Sequence, residues 1–396
     1  MSSKTSTVTP VVAVVGTGFI GPVHVEALKR LNINVKGILG SSLSKSQAAA
    51  TSLGVPVAYA SFEDILNNTE VTAVHITSPN HLHAPQARAV LEAGKHVICE
   101  KPLALNTQET AELVEVARNH PQQIAAVNYN IRYYPLMIHA RDVIARGELG
   151  EIYTVTGCYV QDWLLKDSDW NWRLEPGKGG ALRAVGDIGT HWMDLVSFVT
   201  GQRVTRVLAD LETFVKTRQK PAGSIATFTG KLEENQADAQ YDPVNIEPVN
   251  VETEDYGAVL FHYASGARGL MNVSQVSAGR KNQLRLEVAG SQGSLAWDSE
   301  TPNQLWLGHR DKGNEIIIKD PALVSQSAQG FINYPGGHTE GFPDTFKQLY
   351  QDIYGYIARG DVSLPKPFPT FEDGHAEVLL CEKILESHQQ RAWRDV

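Results

Sequence analysis

Within Gly186-Asp187-Ile188-Gly189-Thr190-His191 a carboxylate and an imidazole stand four residues apart, which on a helix puts both on one face. An imidazole titrating near neutrality can take the proton of an alcohol, and a neighbouring carboxylate can bond to a hydroxyl or fix the ring. An aspartate helix cap beside a packed histidine would read the same way. A second group is Cys99-Glu100-Lys101-Pro102, where the proline restrains Lys101 toward extended backbone. A lysine at a strand end holds a substrate oxygen by a charge-assisted hydrogen bond or lowers the proton affinity of its neighbour, unless it is simply a solvated strand end. The third is Gly16-Thr17-Gly18-Phe19-Ile20-Gly21, directly after the apolar run Val11 to Val15. That context gives a glycine fingerprint its meaning: Gly16 permits a tight turn, Gly18 leaves room for a pyrophosphate beside backbone N–H groups, and Gly21 lets a helix approach a sheet. Pro22 suits an early helical position because its missing N–H would be unpaired there.

Positioning these groups takes alternating strands and helices. Strands are expected at Val11 to Val15, Val35 to Leu39, Val71 to Ile76, His96 to Cys99 and Ile124 to Asn128. Helices are expected at Pro22 to Leu31, Ser44 to Leu53, Pro85 to Ala93 and Thr107 to Asn119. This is the pattern of a doubly wound parallel sheet, with ligands at the carboxyl ends of its strands. Beyond it come a helix at Leu136 to Arg146, a strand at Glu151 to Tyr159, and a loop over Gln161 to Gly180 with Trp163, Trp170 and Trp172, three of the seven tryptophans. A helix over Asp187 to Val199 follows. Strands are then expected at Val204 to Glu212, Ser224 to Phe228, Tyr256 to Phe261, Ala267 to Ser277, Gln283 to Ala289, Ser294 to Trp297 and Gln304 to Leu307. They imply a mainly antiparallel open sheet with one face free. The polar stretch Leu232 to Asp255 reads as an excursion between strands, and helices close the chain at Asp344 to Arg359 and Gly374 to His388.

The end of the second strand bears on cofactor choice. It reads Ile38-Leu39-Gly40-Ser41-Ser42, without the acid that usually accepts from an adenosine ribose. Ser41 and Ser42 either bond to a ribose or leave room for a 2′-phosphate near Lys45, or they cap the next helix. The expectation is NAD, with NADP possible, because no arginine stands nearby. Thr77-Ser78-Pro79-Asn80-His81 also lies at the ligand edge and is expected to touch the cofactor. A zinc site of His81, His83 and His191 is disfavoured: no acidic or thiol companion accompanies them, and His83 reads as packed or solvated.

With 396 residues, 42% of them hydrophobic, the chain can fill two cores. A formal charge of -9 gives no support to nucleic-acid or membrane-surface binding and favours a small-molecule partner. Cys99, Cys158 and Cys381 are too few and too scattered for a disulfide framework or structural zinc, so a reducing cytoplasm is expected. Met1 to Pro10 reads as a ragged tail.

Together these motifs resemble the glucose-fructose oxidoreductase / inositol dehydrogenase / rhizopine-catabolism (Gfo/Idh/MocA) family of sugar and cyclitol dehydrogenases. The resemblance joins the glycine loop, Thr77 to His81, Glu100-Lys101-Pro102, Asn128 to Tyr133, Gly186 to His191, and Phe371 to Val396 with Asp373-Gly374. It implies a Rossmann domain over residues 1–128 and a C-terminal α/β domain over 129–396. That second domain is built on a large, mainly antiparallel open sheet used in oligomerisation, as a dimer or tetramer, with the last helix packing back on the first domain. It maps Lys101, Asp187 and His191 onto catalytic positions: His191 as base, Lys101 holding the reacting oxygen, Asp187 orienting substrate or His191. The implied cofactor set is Gly16, Gly18, Phe19, Ile20, Gly21, Ser41, Ser42, Lys45, Thr77, Pro79, Asn80, His81, Glu100, Lys101 and Asn128. Substrate contact falls to Lys101, Asn130, Trp163, Trp172, Arg173, Asp187, His191 and His338, the last in Gly337-His338-Thr339-Glu340 and equally readable as helix-entry packing. Indole faces suit sugar C–H surfaces, although some of the tryptophans must be core. The expected substrate is a sugar, glycoside or anhydrosugar oxidised at a ring secondary alcohol, C3 favoured; an inositol is the alternative. The reading from another class is a dinucleotide-sensing regulator without turnover.

Overall fold

Short β-branched runs bounded by glycine and polar turns build the first sheet. In a computed structural model that describes residues 10–221 and 246–396, the chain divides into two units, one made of residues up to Asn130 plus Pro343–Ala376, the other of Ile131–Phe342 plus Glu377–Val396. The expected change of domain near residue 128 thus falls just before the first boundary. The stretch Pro343–Ala376, expected in the second domain, belongs to the first unit instead, because Phe346, Tyr350 and Tyr354 are buried there around the side chains of His24 and His75. The final helix is divided, with Phe371 in the core of the first unit and Leu380 and Ile384 in that of the second.

The first unit runs β1 (Val11–Val15), α1 (Ile20–Arg30), β2 (Asn34–Leu39), α2 (Leu43–Leu53), β3 (Val57–Ala58), α3 (Phe62–Asn67), β4 (Ala73–Ile76), α4 (His83–Glu92), β5 (His96–Cys99), α5 (Thr107–Asn119) and β6 (Ala125–Val127). Its six strands lie in the order β3-β2-β1-β4-β5-β6, all parallel. The order reverses between β1 and β4, the crevice where such sheets take ligands. β3 and α3 were not expected: the strand is too short to show a period, and α3 is announced only by a capping box of Ser61 and Asp64.

The second unit contains α6 (Pro135–Ala145), β7 (Ile152–Val160), α7 (Pro176–Gly179), α8 (Thr190–Thr200), β8 (Val204–Glu212), β9 (Thr217–Pro221), β10 (Ile246–Asn250), β11 (Tyr256–Tyr263), β12 (Arg268–Ser274), β13 (Gln283–Gly290), β14 (Ser294–Asp298), β15 (Gln304–Gly308), β16 (Glu315–Ile318) and α9 (Gln326–Gln329). Helices α10 (Phe342–Arg359) and α11 (Phe371–Gln390) and the short strand β17 (Arg394–Asp395) follow. Nine strands form one sheet, β16-β15-β14-β13-β7-β12-β11-β8-β17, antiparallel except where β7 meets β12. β9 and β10 pair separately. The tail over 1–9, the expected strand at 224–228 and residues 232–245 of the excursion lie outside the described residues. One face of the large sheet carries α6 and α8 over a core that includes Trp192, Val196, Phe261 and Met271. On the other face Leu260 of β11 and Leu270 of β12 stand directly opposite each other and exposed.

Candidate active site

In the first unit the glycine loop has the shape a dinucleotide requires. Gly16 has φ +116, and a Cβ there would meet Thr77 Oγ1 at 2.4 Å. A Cβ on Gly21 would lie 2.1 Å from the Gly16 carbonyl, so α1 comes as near to the turn as backbone permits. A Cβ on Gly18 would meet nothing within 4 Å, which leaves open space where a pyrophosphate has to approach. No side chain caps α1 at Phe19, itself exposed, so the amides from Ile20 onward are not covered by a capping side chain. These residues fit a bound dinucleotide.

At the end of β2 the Ser42 hydroxyl caps α2, accepting from Lys45 N at 3.3 Å. Ser41, Ser42 and Lys45 are all exposed. Buried Ser46 ties the turn down, accepting from Gly40 N at 2.8 Å. After β4, Thr77 donates its hydroxyl to Val15 O at 2.8 Å and so braces the glycine turn. Pro79, Asn80 and His81 follow in a 3₁₀ turn with Asn80 buried and His81 half-buried. His83 is packed: its ring nitrogens lie 2.8 Å from the carbonyls of Ser78 and Pro102, and burial lowers its pKa. Both ring nitrogens face backbone carbonyls inside the protein, so the ring is engaged in packing the turn. Among the described residues no group of three or more His, Cys, Asp or Glu is placed to hold one.

Glu100 was expected to touch the cofactor; instead its carboxylate faces inward. Oε1 accepts from Asn128 Nδ2 at 2.5 Å and lies 2.9 Å from His24 Nε2, while Oε2 accepts from the N–H of Lys101 at 3.2 Å. His24 Nδ1 is 2.9 Å from His75 Nδ1, and His75 Nε2 is 2.8 Å from the Tyr354 hydroxyl. Glu100, His24, His75, Tyr354 and Asn128 are all buried. Burial, and secondarily His24, push the pKa of His75 well down. Asn128 Nδ2 is engaged by this chain while its buried Oδ1 has no hydrogen-bond partner among the described residues, and Asn130, also buried, donates to Thr345 Oγ1 at 2.7 Å.

In the second unit Asp187 does not sit on an α-helix as expected. Val185–Gly189 forms a π-turn that runs straight into α8, where His191 is the second residue. Such turns recur at functional sites. Buried Glu254 holds the turn open, accepting from Arg183 N and Val185 N at 2.9 and 2.8 Å; burial pushes its acid up to about 7. Asp187 Oδ1 lies 3.2 Å from Arg173 Nε, and Oδ2 accepts from Gln275 Nε2 at 3.1 Å. Arg173 stacks over Trp172 at 4.4 Å, so the expected substrate residue Arg173 joins Trp172 to Asp187. His191 is buried, 6.1 Å from the Tyr159 ring. Trp192 anchors α8: its indole donates to Arg285 O at 3.0 Å, passing over Gly157, where a Cβ would lie 2.5 Å from the indole nitrogen.

Trp163 is a correction. It lies buried in a small cluster with Leu164, Leu174 and Val251, where its face is used for packing rather than for sugar. His338 is exposed on a loop pinned by buried Lys319, which donates to His338 O at 2.8 Å and to Glu340 Oε2 at 2.6 Å. Sequence reasoning missed Gln275, Glu254, His24 and His75. His75 had a signal, a histidine inside the apolar strand Ala73–Ile76, since a buried polar group demands a partner; so had His24, on the buried side of α1. Gln275 and Glu254 had none.

A family model described as "Oxidoreductase family, NAD-binding Rossmann fold" matches residues 11–129, and one for the GFO/IDH/MocA C-terminal domain matches 137–296. The chain belongs to the Gfo/Idh/MocA family. Among its relatives is a levoglucosan dehydrogenase of Pseudarthrobacter phenanthrenivorans, 27% identical, the match covering 97% of each chain. A levoglucosan dehydrogenase solved with NADH and L-sorbose matches with a TM-score of 0.84 at 26% identity over 98% of both chains. An inositol dehydrogenase homologue with NAD+ from Azotobacter vinelandii gives 0.83 at 26% identity, over 98% of this chain and 97% of that one. The chain is thus an oxidoreductase of an NAD-binding Rossmann family, its two sheets arranged within their units as expected.

Proposed function

We propose that this protein oxidises a ring secondary hydroxyl of a pyranose-type sugar, glycoside or anhydrosugar, at C3 by preference, with NAD as the favoured acceptor. The observation that carries the reading is Asp187, presented on a π-turn between Arg173 and Gln275, with His191 following at the start of α8. A bound nicotinamide supplies the acceptor for a hydride. His191 takes the hydroxyl proton while Lys101 holds the same oxygen by a charge-assisted hydrogen bond, and the C–O bond becomes a carbonyl. Asp187, as an acceptor, orients a substrate hydroxyl or the His191 ring. The half-buried Trp172–Arg173 pair offers a flat face beside a donor, which suits a sugar ring. Support for the substrate class comes from the levoglucosan and L-sorbose named for the relatives.

We also propose assembly through the open face of the nine-stranded sheet, where Leu208, Leu260 and Leu270 line up across β8, β11 and β12. The test of function is the growth of reduced-nicotinamide absorbance with NAD or NADP against levoglucosan, glucose, simple glucosides and myo-inositol separately. Reduction with an anhydrosugar or glucoside supports the reading. Reduction with myo-inositol alone replaces it with a cyclitol dehydrogenase, and cofactor binding without reduction by any of them favours a sensor.

A further inference from the structure

We propose that Gln275 is a positioning residue that holds Asp187 as a hydrogen-bond acceptor, and that Arg183 sets which way its amide faces. This deepens the reading in which Asp187 serves the reaction, and it rests on that reading. Gln275 is fully buried just after β12, its backbone fixed by bonds to Asp255 O at 3.0 Å and from Leu164 N at 3.2 Å. Its side chain bridges two charged groups. Oε1 accepts from Arg183 Nη1 at 3.3 Å and Nε2 donates to Asp187 Oδ2 at 3.1 Å. An amide can be flipped, but a guanidinium only donates, so the atom facing Arg183 has to be the oxygen and the NH2 has to face Asp187. Arg183 cannot swing away. Its side chain is fully buried and paired with Asp255, which also accepts from Arg218 Nη2 at 2.9 Å and, through Oδ2, from Val215 N at 2.8 Å. Arg218 in turn donates to the carbonyls of Leu164 and Lys166 at 2.8 Å. Asp255, accepting from both arginines, fixes Arg183 in place, and from Arg183 through Gln275 to Asp187 the hydrogen bonds run in one direction, donor to acceptor.

On the other side of Asp187 stands Arg173, again a pure donor. Gln275 and Arg173 thus both require Asp187 to accept, which assigns it to orienting a hydroxyl or imidazole and leaves proton uptake to His191.

The test is the Gln275→Glu variant. A glutamate keeps the acceptor for Arg183 but removes the donor and sets a second carboxylate against Asp187, beside Arg173, Tyr159 of β7, and His191 on the following helix. Asp187 is followed by side-chain carboxyl 13C NMR of aspartate-labelled protein, its signal assigned by loss in Asp187→Asn. The expected result is an upward shift of the Asp187 titration midpoint on the order of one pH unit, in a variant that is less stable but still unfolds cooperatively. Gln275→Met, which removes both hydrogen bonds without adding charge, shifts the midpoint upward by less and serves if the glutamate variant fails to fold. An unmoved Asp187 in the folded variants overturns the inference. The NMR needs no substrate: a shift in a protein that reduces no cofactor with any sugar would retain the positioning and refute the reaction. A dehydrogenase whose kcat and Asp187 titration ignore both substitutions would do the reverse.

Discussion

Replacing His75 by phenylalanine strands two buried groups at once. Burial keeps His75 neutral, so it has one N–H and one lone pair. With Glu100 accepting from Asn128 and from the Lys101 N–H, the chain reads in one direction. Tyr354 donates to His75 Nε2, His75 Nδ1 donates to His24 Nδ1, and His24 Nε2 donates to Glu100. His75→Phe leaves the Tyr354 hydroxyl without its acceptor and His24 Nδ1 without its donor. At about 1–3 kcal/mol for each stranded group, the loss is about 2–6 kcal/mol. Tyr354→Phe strands only His75 Nε2, for about 1–3 kcal/mol. In the double variant only His24 Nδ1 is stranded, so adding Tyr354→Phe should recover stability from His75→Phe by about 1–3 kcal/mol. Urea unfolding of the three variants measures this. A double variant less stable than His75→Phe alone would refute the directed chain.

Gly18→Ala should weaken dinucleotide binding and leave thermal unfolding unchanged, whereas Gly21→Ala, whose Cβ would meet the Gly16 carbonyl at 2.1 Å, should also lower stability by about 1–3 kcal/mol; calorimetry with and without cofactor separates them. His191→Asn should lower turnover on the order of 10²-fold with cofactor affinity retained, and steady-state rates with an unchanged pH profile would contradict it. Burial takes the pKa of His96 from 6.5 down to about 4, so the unfolded chain binds more protons between those values and stability falls as the pH drops through that window. The slope is at most about 1.4 kcal/mol per pH unit for each such histidine. His96→Gln, keeping an acceptor for Ile124 N, should flatten it in urea titrations at neutral and mildly acid pH. Leu260→Glu should reduce the mass seen by light scattering if the open sheet face joins subunits, and an unchanged mass would exclude that face.

The first unit was legible because its period and punctuation are local. Val11–Val15, the glycine loop and the helices at 43–53 and 107–119 are each written in neighbouring residues. The antiparallel strands of the second unit were legible for the same reason. What escaped depends on residues far apart in the chain. Trp163 is core because Val251 lies against it, Asn130 turns inward because Thr345 meets it, and Glu100 faces His24 rather than ligand. The π-turn escaped because Gly186-Asp187-Ile188-Gly189 fits an α-helical period equally well; Glu254, far along the chain, supplies the acceptors for the N–H groups at its start.

The parallel pairing of β7 with β12 has a consequence for how the second unit comes into being. β7 is synthesised first among the strands of its sheet yet ends in the middle, with Thr154 beside Arg268 on one edge and Ala289 on the other. Until those distant partners emerge from the ribosome, both edges of β7 present unpaired amides and carbonyls, open to pairing with other chains. Such long-range closure predicts slow refolding and a concentration-dependent loss of yield, with the second unit organising late around a strand that has waited for both neighbours.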